Sequence, residues 1–166
     1  QSTSSNRAKL YVNGVQVTAF GTSTYPSQNT TTLFNSTTPH TMFSRYTGSS
    51  YVEFDSDTYM TNINFIDGQA LAPTAFGAFN SYGVWQPVNY GGSYGTNGFY
   101  LNFNDASAAT AAAIGKDSSG NGNNFTPSAI SLSADTNYDS MRDVPTLTNS
   151  LTGNYATLNP LSYPSL

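Results

Sequence analysis

Hydrophobic and polar residues alternate along the chain in short runs, a pattern that predicts β-strands with one buried face. The first two runs, Lys9–Asn13 and Val15–Phe20, flank the dipeptide Asn13-Gly14. Two such runs around Asn-Gly are typical of a β-hairpin whose tight turn has a glycine at positive φ. The further predicted strands are Thr41–Tyr46, Ser50–Phe54, Tyr59–Ile66, Phe99–Phe103 and Ile130–Leu132.

Helical patterns are few and short. Leu71–Phe79 predicts one helical turn, because Pro73 lies near its start, where proline is tolerated. Ala106–Ile114 holds an alanine cluster that is compatible with a short helix, although it has no amphipathic stripe. Ser81–Gly98 is rich in Gly, Tyr and Asn and predicts an irregular connection, and Lys116–Asn124 predicts a turn-rich loop. Recurrent strands between Gly and Pro turns therefore predict an all-β fold, an antiparallel β-sandwich.

The composition narrows the class of protein. Charged residues make up 8% of the 166 residues, against roughly 25% in ordinary soluble domains, so Ser, Thr, Asn and Gly carry the polar surface. Aromatic residues reach 14%, and a few large rings can build a core that would otherwise need many aliphatic side chains. A polar, weakly charged surface is typical of proteins outside cells, so the predicted location is extracellular or on a virion surface.

Charge and cysteine content exclude several partners and chemistries. The net charge is −4 and the 5 Lys and Arg residues are scattered, whereas nucleic-acid binding needs clustered cations. No stretch approaches the roughly 20 apolar residues of a membrane-spanning helix, so no membrane insertion is expected. With 0 Cys, disulfides, thiolate metal sites and a cysteine nucleophile are excluded. The lack of disulfides favours a phage or bacterial surface protein over a secreted animal domain.

Three stretches resemble laminin-G-like, concanavalin A-like jelly-roll domains. Leu10–Val17, which reads Leu-Tyr-Val-Asn-Gly-Val-Gln-Val, is similar to the hairpin of that family. Tyr59–Leu71 is similar to its late strand and the turn that follows. Phe99–Phe103, together with the Asp-Ser-Ser-Gly-Asn sequence of the Lys116–Asn124 loop, resembles the opening strand and the next loop of such domains.

A narrower resemblance is to a group of large phage and marine-virus structural proteins that are regarded as fibre or host-recognition proteins. The stretches that carry it are Phe65–Leu71, Gly83–Pro87, Tyr94–Leu101 and Gly153–Pro160. The resemblance implies a virion-surface or tail-fibre structural protein with a lectin-like module for host attachment. Its implied partners are copies of itself, other virion proteins and host-surface glycan.

The family's strands occur here in an unusual order, because the closing strands precede the opening strand. Residues 1–80 are expected to be the closing half of the sandwich, 81–134 the connection with the opening-type strand and its loop, and 135–166 an extended, proline-containing tail. This order indicates the middle of a longer chain, a permuted order, or a sandwich closed by a neighbouring copy. Unpaired sheet edges would then pair with other chains, so the segment is not expected to fold well alone.

One acidic stretch is a candidate for catalysis. Alternation along a strand places Glu53, Asp55 and Asp57 on one face, about 6.6–7 Å apart in succession, and retaining glycosidases need two carboxyl groups about 5–5.5 Å apart. Jelly-roll glycanases carry Glu at the last position, where this chain has the shorter Asp57, so the stretch is interpreted as a solvated acidic turn. His40 is the sole histidine and gives no Ser-His-Asp arrangement. The chain is therefore predicted not to be an enzyme.

Aromatic rings with amides are the usual means of holding sugars, because a ring face packs on C–H groups while amides bind hydroxyls. The candidate ligand-binding residues are Trp85, Tyr90, Tyr94, Asn121, Asn123 and Asn124. The alternative is that the aromatic residues seal a sandwich edge or a subunit interface.

No cofactor is required by the sequence, although Ca²⁺ is a candidate. Asp117 with the neighbouring amides, or the acidic stretch at 53–57, offers oxygen ligands, and Ca²⁺ takes six or more of them. The alternative is a loop of Asx-turns that needs no metal.

Two functions from different classes follow from these observations. The first is a binding module for surface glycan, and the second is a purely structural fibre or capsid-decoration segment without ligand binding. A glycan-degrading jelly-roll enzyme is a distant third, since sites rather than folds decide function.

Overall fold

The computed structural model describes residues 1–53, 59–132 and 139–140, together with the backbone of strands at 147–149 and 152–153. This part of the chain holds short strands, two 3₁₀ turns and no α-helix, so the all-β prediction is confirmed for the described residues. The strands are β1 Leu10–Val12, β2 Val15–Val17, β3 Ser44–Tyr46, β4 Tyr51–Glu53, β5 Ile63–Phe65, β6 Gly77–Phe79, β7 Trp85–Pro87, β8 Phe99–Leu101, β9 Leu147–Asn149 and β10 Thr152–Gly153.

The described strands pair in two-stranded antiparallel ladders. Four of these ladders are hairpins of consecutive strands, namely β1–β2, β3–β4, β6–β7 and β9–β10. The fifth joins β5 to β8 across the intervening β6–β7 hairpin, and so brings distant parts of the chain together. This ladder joins the expected segments 1–80 and 81–134. The division into three segments stays a prediction.

The β5–β8 ladder has one apolar and one polar face. Its register pairs Ile63 with Leu101, Asn64 with Tyr100 and Phe65 with Phe99. Successive side chains of a strand point to opposite faces, so the first and third pairs share a face while Asn64 and Tyr100 lie on the other. The ladder therefore has an apolar face, made by the first and third pairs, and a polar face, made by Asn64 and Tyr100.

A small hydrophobic core lies at the apolar face of this ladder. The Phe99 ring stacks on Phe65 with 5.3 Å between centroids and meets Phe125 edge-on at 4.7 Å. In the described part of the chain, the buried hydrophobic residues are Leu101, Ala113 and Ile114. Complete burial of a large apolar side chain contributes about 1.5–3 kcal/mol, so this core is small for a chain of 166 residues.

The predicted Asn13-Gly14 turn is confirmed. Asn13 has a φ of 49° and Gly14 a φ of 77°, and the two residues alone connect β1 to β2. Positive φ at both central residues is the type I′ geometry that Asn-Gly favours. Cross-strand pairing places four aliphatic side chains on one face of the hairpin: Leu10, Val12, Val15 and Val17. The first three are 53%, 55% and 61% exposed.

The prediction of an irregular connection over Ser81–Gly98 is wrong at its start, because β7 pairs with β6 as a hairpin. The turn between them is held by Asn80, whose Oδ1 accepts bonds from the backbone N–H groups two and four residues later, at 2.9 Å each. Gly83 completes the turn with a φ of 74°. Asn at the first and Gly at the fourth position are typical of such turns, so the sequence did contain a signal for this hairpin.

The two helical predictions have different outcomes. The single turn expected within Leu71–Phe79 is confirmed by the 3₁₀ turn Pro73–Ala75, with the proline at its start. The short helix at Ala106–Ile114 is wrong, because this stretch folds into turns in which two N–H groups share the carbonyl of Thr110. Without an amphipathic stripe, a helix here would have no apolar face to bury.

The predicted strand at Ile130–Leu132 is also wrong. Asp139 satisfies the backbone of Ser131 instead: its Oδ2 accepts the Ser131 N–H at 2.7 Å, and its own N–H donates to the Ser131 carbonyl at 2.9 Å. The other predicted strands are present in shortened form. Within the tail at 135–166, β9 and β10 are paired, and Pro145, Pro160 and Pro164 lie outside the described residues.

The Trp85 indole holds the β1–β2 hairpin against the β6–β7 hairpin. A methyl group placed on Gly14 or on Gly77 would overlap the indole ring, so both glycines lie in close contact with it. Phe79 meets the indole edge-on, with centroids 5.0 Å apart. Glycine is therefore required at both positions for close approach, and at Gly14 for its φ as well.

The Gly14→Ala variant of the full-length protein is expected to be destabilised by more than the roughly 1–2 kcal/mol of a left-handed backbone strain, because the new methyl group also displaces Trp85. Gly83→Ala, at positive φ in open space, is expected to show the strain alone. Gly21→Ala, in open space and without positive φ, is expected to cause neither backbone strain nor a steric clash. Thermal unfolding compares the three variants. Equal losses at Gly14 and Gly83 would contradict the contact with the indole.

Candidate functional site

A buried carboxylate organises the loop that follows β8. Asp117 is only 5% exposed. Its Oδ1 accepts the backbone N–H groups of Tyr100 and Ser119, at 2.9 and 2.8 Å. Its Oδ2 accepts the Ser119 hydroxyl and the Asn123 N–H, at 2.9 Å each. An ionised carboxylate offers about four acceptor sites, so all of them are occupied.

These hydrogen bonds give Asp117 a structural role, and the Ca²⁺ hypothesis for it stays a prediction. Ca²⁺ takes six or more oxygen ligands, and the carboxylate has no lone pair left to offer one. No group of three or more His, Cys, Asp or Glu side chains that could hold a metal ion occurs among the described residues. The bond from the Ser119 N–H to the carboxylate two residues earlier is an Asx-turn, which is the metal-free alternative.

Hydrogen bonding keeps the Asp117 carboxylate ionised. Burial opposes its ionisation, but the donors on Tyr100, Ser119 and Asn123 outweigh burial and hold the pKa of the carboxyl below its ordinary value. The Asp117 N–H donates in turn to Asn124 Oδ1 at 2.8 Å. Asp117 thereby joins the start of the Lys116–Asn124 loop to Asn124 at its end.

Two of the predicted ligand residues in this loop bind backbone. The Asn121 Nδ2 donates to the carbonyls of Gly95 and Gly98, at 2.6 and 2.9 Å. The Asn123 Nδ2 donates to the carbonyls of Thr96 and Gly98, at 3.0 and 2.9 Å. The NH₂ groups of both amides are therefore engaged in fastening the segment at 95–98 to the Asp117 loop.

Asp67 fastens the same segment from another side. Its N–H donates to the Tyr94 carbonyl at 2.9 Å, and its Oδ2 accepts the Asn97 N–H at 3.1 Å. Its Oδ1 accepts the Asn35 Nδ2 at 2.7 Å. The turn that carries Tyr94 is thus bound by Asp67 as well as by the Asp117 loop, and the position of the Tyr94 ring is fixed by both.

A cleft of about 260 Å³ lies at the polar face of the β5–β8 ladder. It is lined by amides, aromatic rings and apolar side chains: Asn62, Asn64, Phe76, Pro87, Val88, Asn89, Tyr90 and Tyr100. The volume is near the lower end of the roughly 300–1,000 Å³ of small-molecule sites, which suits one small ring. All of the lining side chains are uncharged.

A row of aromatic rings supports the cleft. Phe76 and Tyr90 have centroids 5.2 Å apart, Tyr90 and Tyr94 are 5.2 Å apart and edge-on, and Tyr94 stacks on Tyr100 at 6.3 Å. Such pairs contribute about 0.5–1.5 kcal/mol each beyond their area burial. Three of the four rings line the cleft, and Tyr94 packs against two of them without lining it.

The tyrosine hydroxyls orient two of the amides. Tyr100 Oη donates to Asn62 Oδ1 and Tyr94 Oη donates to Asn64 Oδ1, both at 2.7 Å. The Asn64 Nδ2 donates to the Asn62 carbonyl at 3.0 Å. The Asn62 amide oxygen is thereby occupied by Tyr100, which leaves the NH₂ group as the donor of this lining side chain.

The two tyrosines next to the amides resist negative charge. Burial raises the pKa of Tyr94 to about 12, and the neighbouring Tyr100, Tyr90 and Asp117 add to that rise. Burial also raises the pKa of Tyr100. Both phenols are therefore protonated at neutral pH and act as hydrogen-bond donors.

The three predicted aromatic ligand residues have different settings. Tyr90 lines the cleft, and its hydroxyl donates to the Ser93 carbonyl at 3.0 Å. Tyr94 supports the cleft through Asn64. Trp85 is not among the lining residues and packs against Gly14 and Gly77. Whether any of them contacts a ligand stays a prediction.

Sequence reasoning missed the polar residues of β5 and β8 that line the cleft. The available signal was Asn64 within the alternating Tyr59–Ile66 run. Asn62 precedes β5 and has a φ of 52°, so strand alternation does not place its side chain. The proximity of both amides to Tyr100 depends on the β5–β8 pairing, and no local pattern indicates which of several strands will pair.

Of the remaining catalytic candidates, only the side chain of His40 is described. His40 lies at a larger open groove of about 960 Å³, and its Nε2 accepts the Asn35 N–H at 3.0 Å, which is a loop contact. Asp55, Asp57 and the side chain of Glu53 lie outside the described residues.

Comparison of the chain with protein-family models, with curated proteins and with solved structures gave no match. The resemblance to laminin-G-like domains therefore rests on the sequence stretches quoted above. Along the described residues, no helix is long and apolar enough to cross a membrane.

The Asp117→Asn variant is expected to lose about 1.5–3 kcal/mol or more of stability, because charge-assisted bonds disappear and buried donors face an NH₂ group. Asp105→Asn is the matched control, since this exposed carboxylate accepts bonds from Ser107 within its own turn. Urea unfolding measures both losses. A loss at Asp117 no greater than that at Asp105 would contradict the organising role of the buried carboxylate.

The same carboxylate predicts how stability depends on pH. Its pKa in the folded protein lies below the unfolded value of about 3.9. Its contribution to stability is therefore complete above that pH and is lost as the pH falls through the folded pKa. Unfolding between neutral pH and pH 2 should show a smaller acid-induced loss in Asp117→Asn than in the wild type.

Proposed function

We propose that this chain is a non-catalytic, lectin-like part of a virion-surface or tail-fibre protein and that it attaches the particle to host glycan. The observation that carries the proposal is the cleft at the polar face of β5–β8, where aromatic rings and amides line one small space. A sugar ring has C–H groups on its faces and hydroxyls around its edge. Phe76 and Tyr90 offer apolar surface to the faces, and the Asn62 amide offers a donor to the hydroxyls.

The lining residues support binding without hydrolysis. Glycosidases place two carboxyl groups on either side of the bond that they cleave, whereas the cleft is lined by amides, phenols and apolar side chains. The carboxylate of Asp117, which contributes to the raised pKa of Tyr94, uses its acceptor sites for β8 and the loop. A glycan in this cleft is held and released unchanged.

We also propose that the ladders belong to a laminin-G-like jelly roll whose sheets are completed by further strands. The exposed aliphatic face of the β1–β2 hairpin supports this, because an apolar face of a hairpin is normally buried against another layer. The strands that cover it come from other parts of the protein or from neighbouring copies in the particle.

The Tyr90→Ala variant is expected to bind glycan roughly 5- to 150-fold more weakly than the wild type on a glycan array, as for loss of an aromatic anchor of about 1–3 kcal/mol. Tyr82→Ala is the matched control, since Tyr82 is 89% exposed and is not among the lining residues. EDTA is expected to leave binding unchanged, because the acceptor sites of Asp117 are filled.

Three results would contradict this function. Full binding by Tyr90→Ala would place the ligand elsewhere, and loss of binding in EDTA would restore the Ca²⁺ hypothesis. Release of sugar from a host polysaccharide would show that the protein is an enzyme.

A purely structural role in a fibre or capsid decoration is the second candidate. It is favoured by the same aliphatic face, on which Leu10, Val12 and Val15 are each more than half exposed. Exposed apolar side chains that share one face mark a protein–protein contact more often than a sugar site.

Replacing both Val12 and Val15 with Ser is expected to dissociate assemblies of the chain, because the shared aliphatic face loses its apolar surface. Gln16→Ser, on the opposite face of the same hairpin, is the control. Light scattering measures the particle size of each protein. A wild-type chain that stays a stable monomer would contradict both the proposed sheet completion and the structural candidate.

A further inference from the structure

We infer that the cleft accepts an uncharged sugar ring and rejects its acidic counterpart, so that the receptor is a neutral glycan rather than a uronic-acid or sialic-acid polymer. This inference rests on the proposed function and adds the class of ligand. It follows from four properties of the cleft: the lining, the protonation of its phenols, the position of the cations and the volume.

The lining offers no charge to pair with a carboxylate. Its polar groups are three asparagine amides and two phenols. An isolated carboxylate that leaves water costs far more free energy than a hydroxyl unless a cation or several strong donors replace its hydration. Neutral hydroxyls can be matched by amides, whereas a carboxylate would lose hydration without an opposite charge.

Two phenols at the cleft, the lining Tyr100 and the supporting Tyr94, disfavour negative charge in the same way. Tyr94 and Tyr100 both have raised pKa values, chiefly because burial penalises the charged form. The buried carboxylate of Asp117 raises the pKa of Tyr94 further. A region that resists the negative charge of its own phenolates resists the negative charge of a bound carboxylate for the same reason.

Among the described residues, no lysine or arginine lines the cleft. Arginine recognises carboxylates through a bidentate pair of N–H groups. The guanidinium of Arg7 instead donates to the carbonyls of Gln1, Ser2 and Pro26, at 3.1, 2.9 and 2.8 Å.

The volume limits the ligand to one ring at a time. About 260 Å³ falls just short of the roughly 300–1,000 Å³ of drug-sized ligand sites. A terminal or single internal sugar fits this description, with the rest of the glycan lying outside. The test ligands should therefore differ only in the ring that enters the cleft.

The experiment uses oligosaccharides that end in glucose or galactose, the same oligosaccharides ending in glucuronic or galacturonic acid, and the methyl esters of those acids. Each pair has nearly the same size and differs in charge. The wild-type chain is expected to bind the neutral member at least about tenfold more tightly, and esterification is expected to restore binding. Sialylated oligosaccharides extend the comparison.

A charge added to the lining tests the electrostatic cause. Val88 lines the cleft, is exposed, and uses its backbone N–H to reach the Phe76 carbonyl at 2.8 Å, which a substitution retains. Val88→Lys is expected to narrow the preference for the neutral ring by about two- to fivefold, the effect of one exposed ion pair. Val84→Lys, an exposed valine outside the lining, should leave the preference unchanged.

The outcomes separate the inference from the function on which it rests. Binding of acidic rings as tightly as neutral ones, or equal effects of Val88→Lys and Val84→Lys, would overturn the inference and leave glycan attachment standing. Neutral-glycan binding that is insensitive to Tyr90→Ala would overturn the inference by placing the ligand outside this cleft. Failure of the wild type to bind any of these sugars would overturn both.

Discussion

Four hydrogen bonds from three residues converge on the carboxylate of Asp117, and the organisation of the described chain depends on them. One donor belongs to β8, and the others belong to the loop that follows it, so the carboxylate joins the central ladder to an otherwise glycine-rich segment. Neutral side chains could not replace it, because only an ionised carboxylate accepts at four positions. The loop thereby becomes a rigid part of the fold despite its high content of Gly and Asn.

Hydrogen bonds to backbone carbonyls connect the Asp117 loop to the segment beside the cleft. The amides of Asn121 and Asn123 hold the segment at 95–98, and Asp67 binds Tyr94 just before it and Asn97 within it. Tyr94 lies at the start of this segment and fixes the Asn64 amide. A polar chain with few buried aliphatic residues among those described thus positions the groups of this cleft with hydrogen bonds where other proteins use a packed core.

Local features of this fold could be read from the sequence, whereas long-range ones could not. The Asn13-Gly14 turn was predictable because its geometry is set by two residues. The β6–β7 hairpin was missed because its signal, Asn80 with Gly83, lies among many other glycines. The cleft was missed because Asn64 meets Tyr100 only through the β5–β8 pairing. Asp117 was singled out as a candidate Ca²⁺ ligand, and its hydrogen-bond partners could not be read from the sequence because they include a backbone N–H of a distant strand.

The contact of Trp85 with Gly14 and Gly77 makes the chain its own optical reporter. The protein has 1 Trp, and its indole touches the N-terminal hairpin as well as the strand beside it. Indole emission depends on the polarity of its surroundings, so undocking of the hairpin alone would redden the fluorescence. The lining of the cleft includes Pro87, two residues after Trp85, but the rings of the cleft are tyrosine and phenylalanine, so loss of the cleft would change tyrosine signals instead. Stepwise and concerted unfolding can therefore be distinguished without a label.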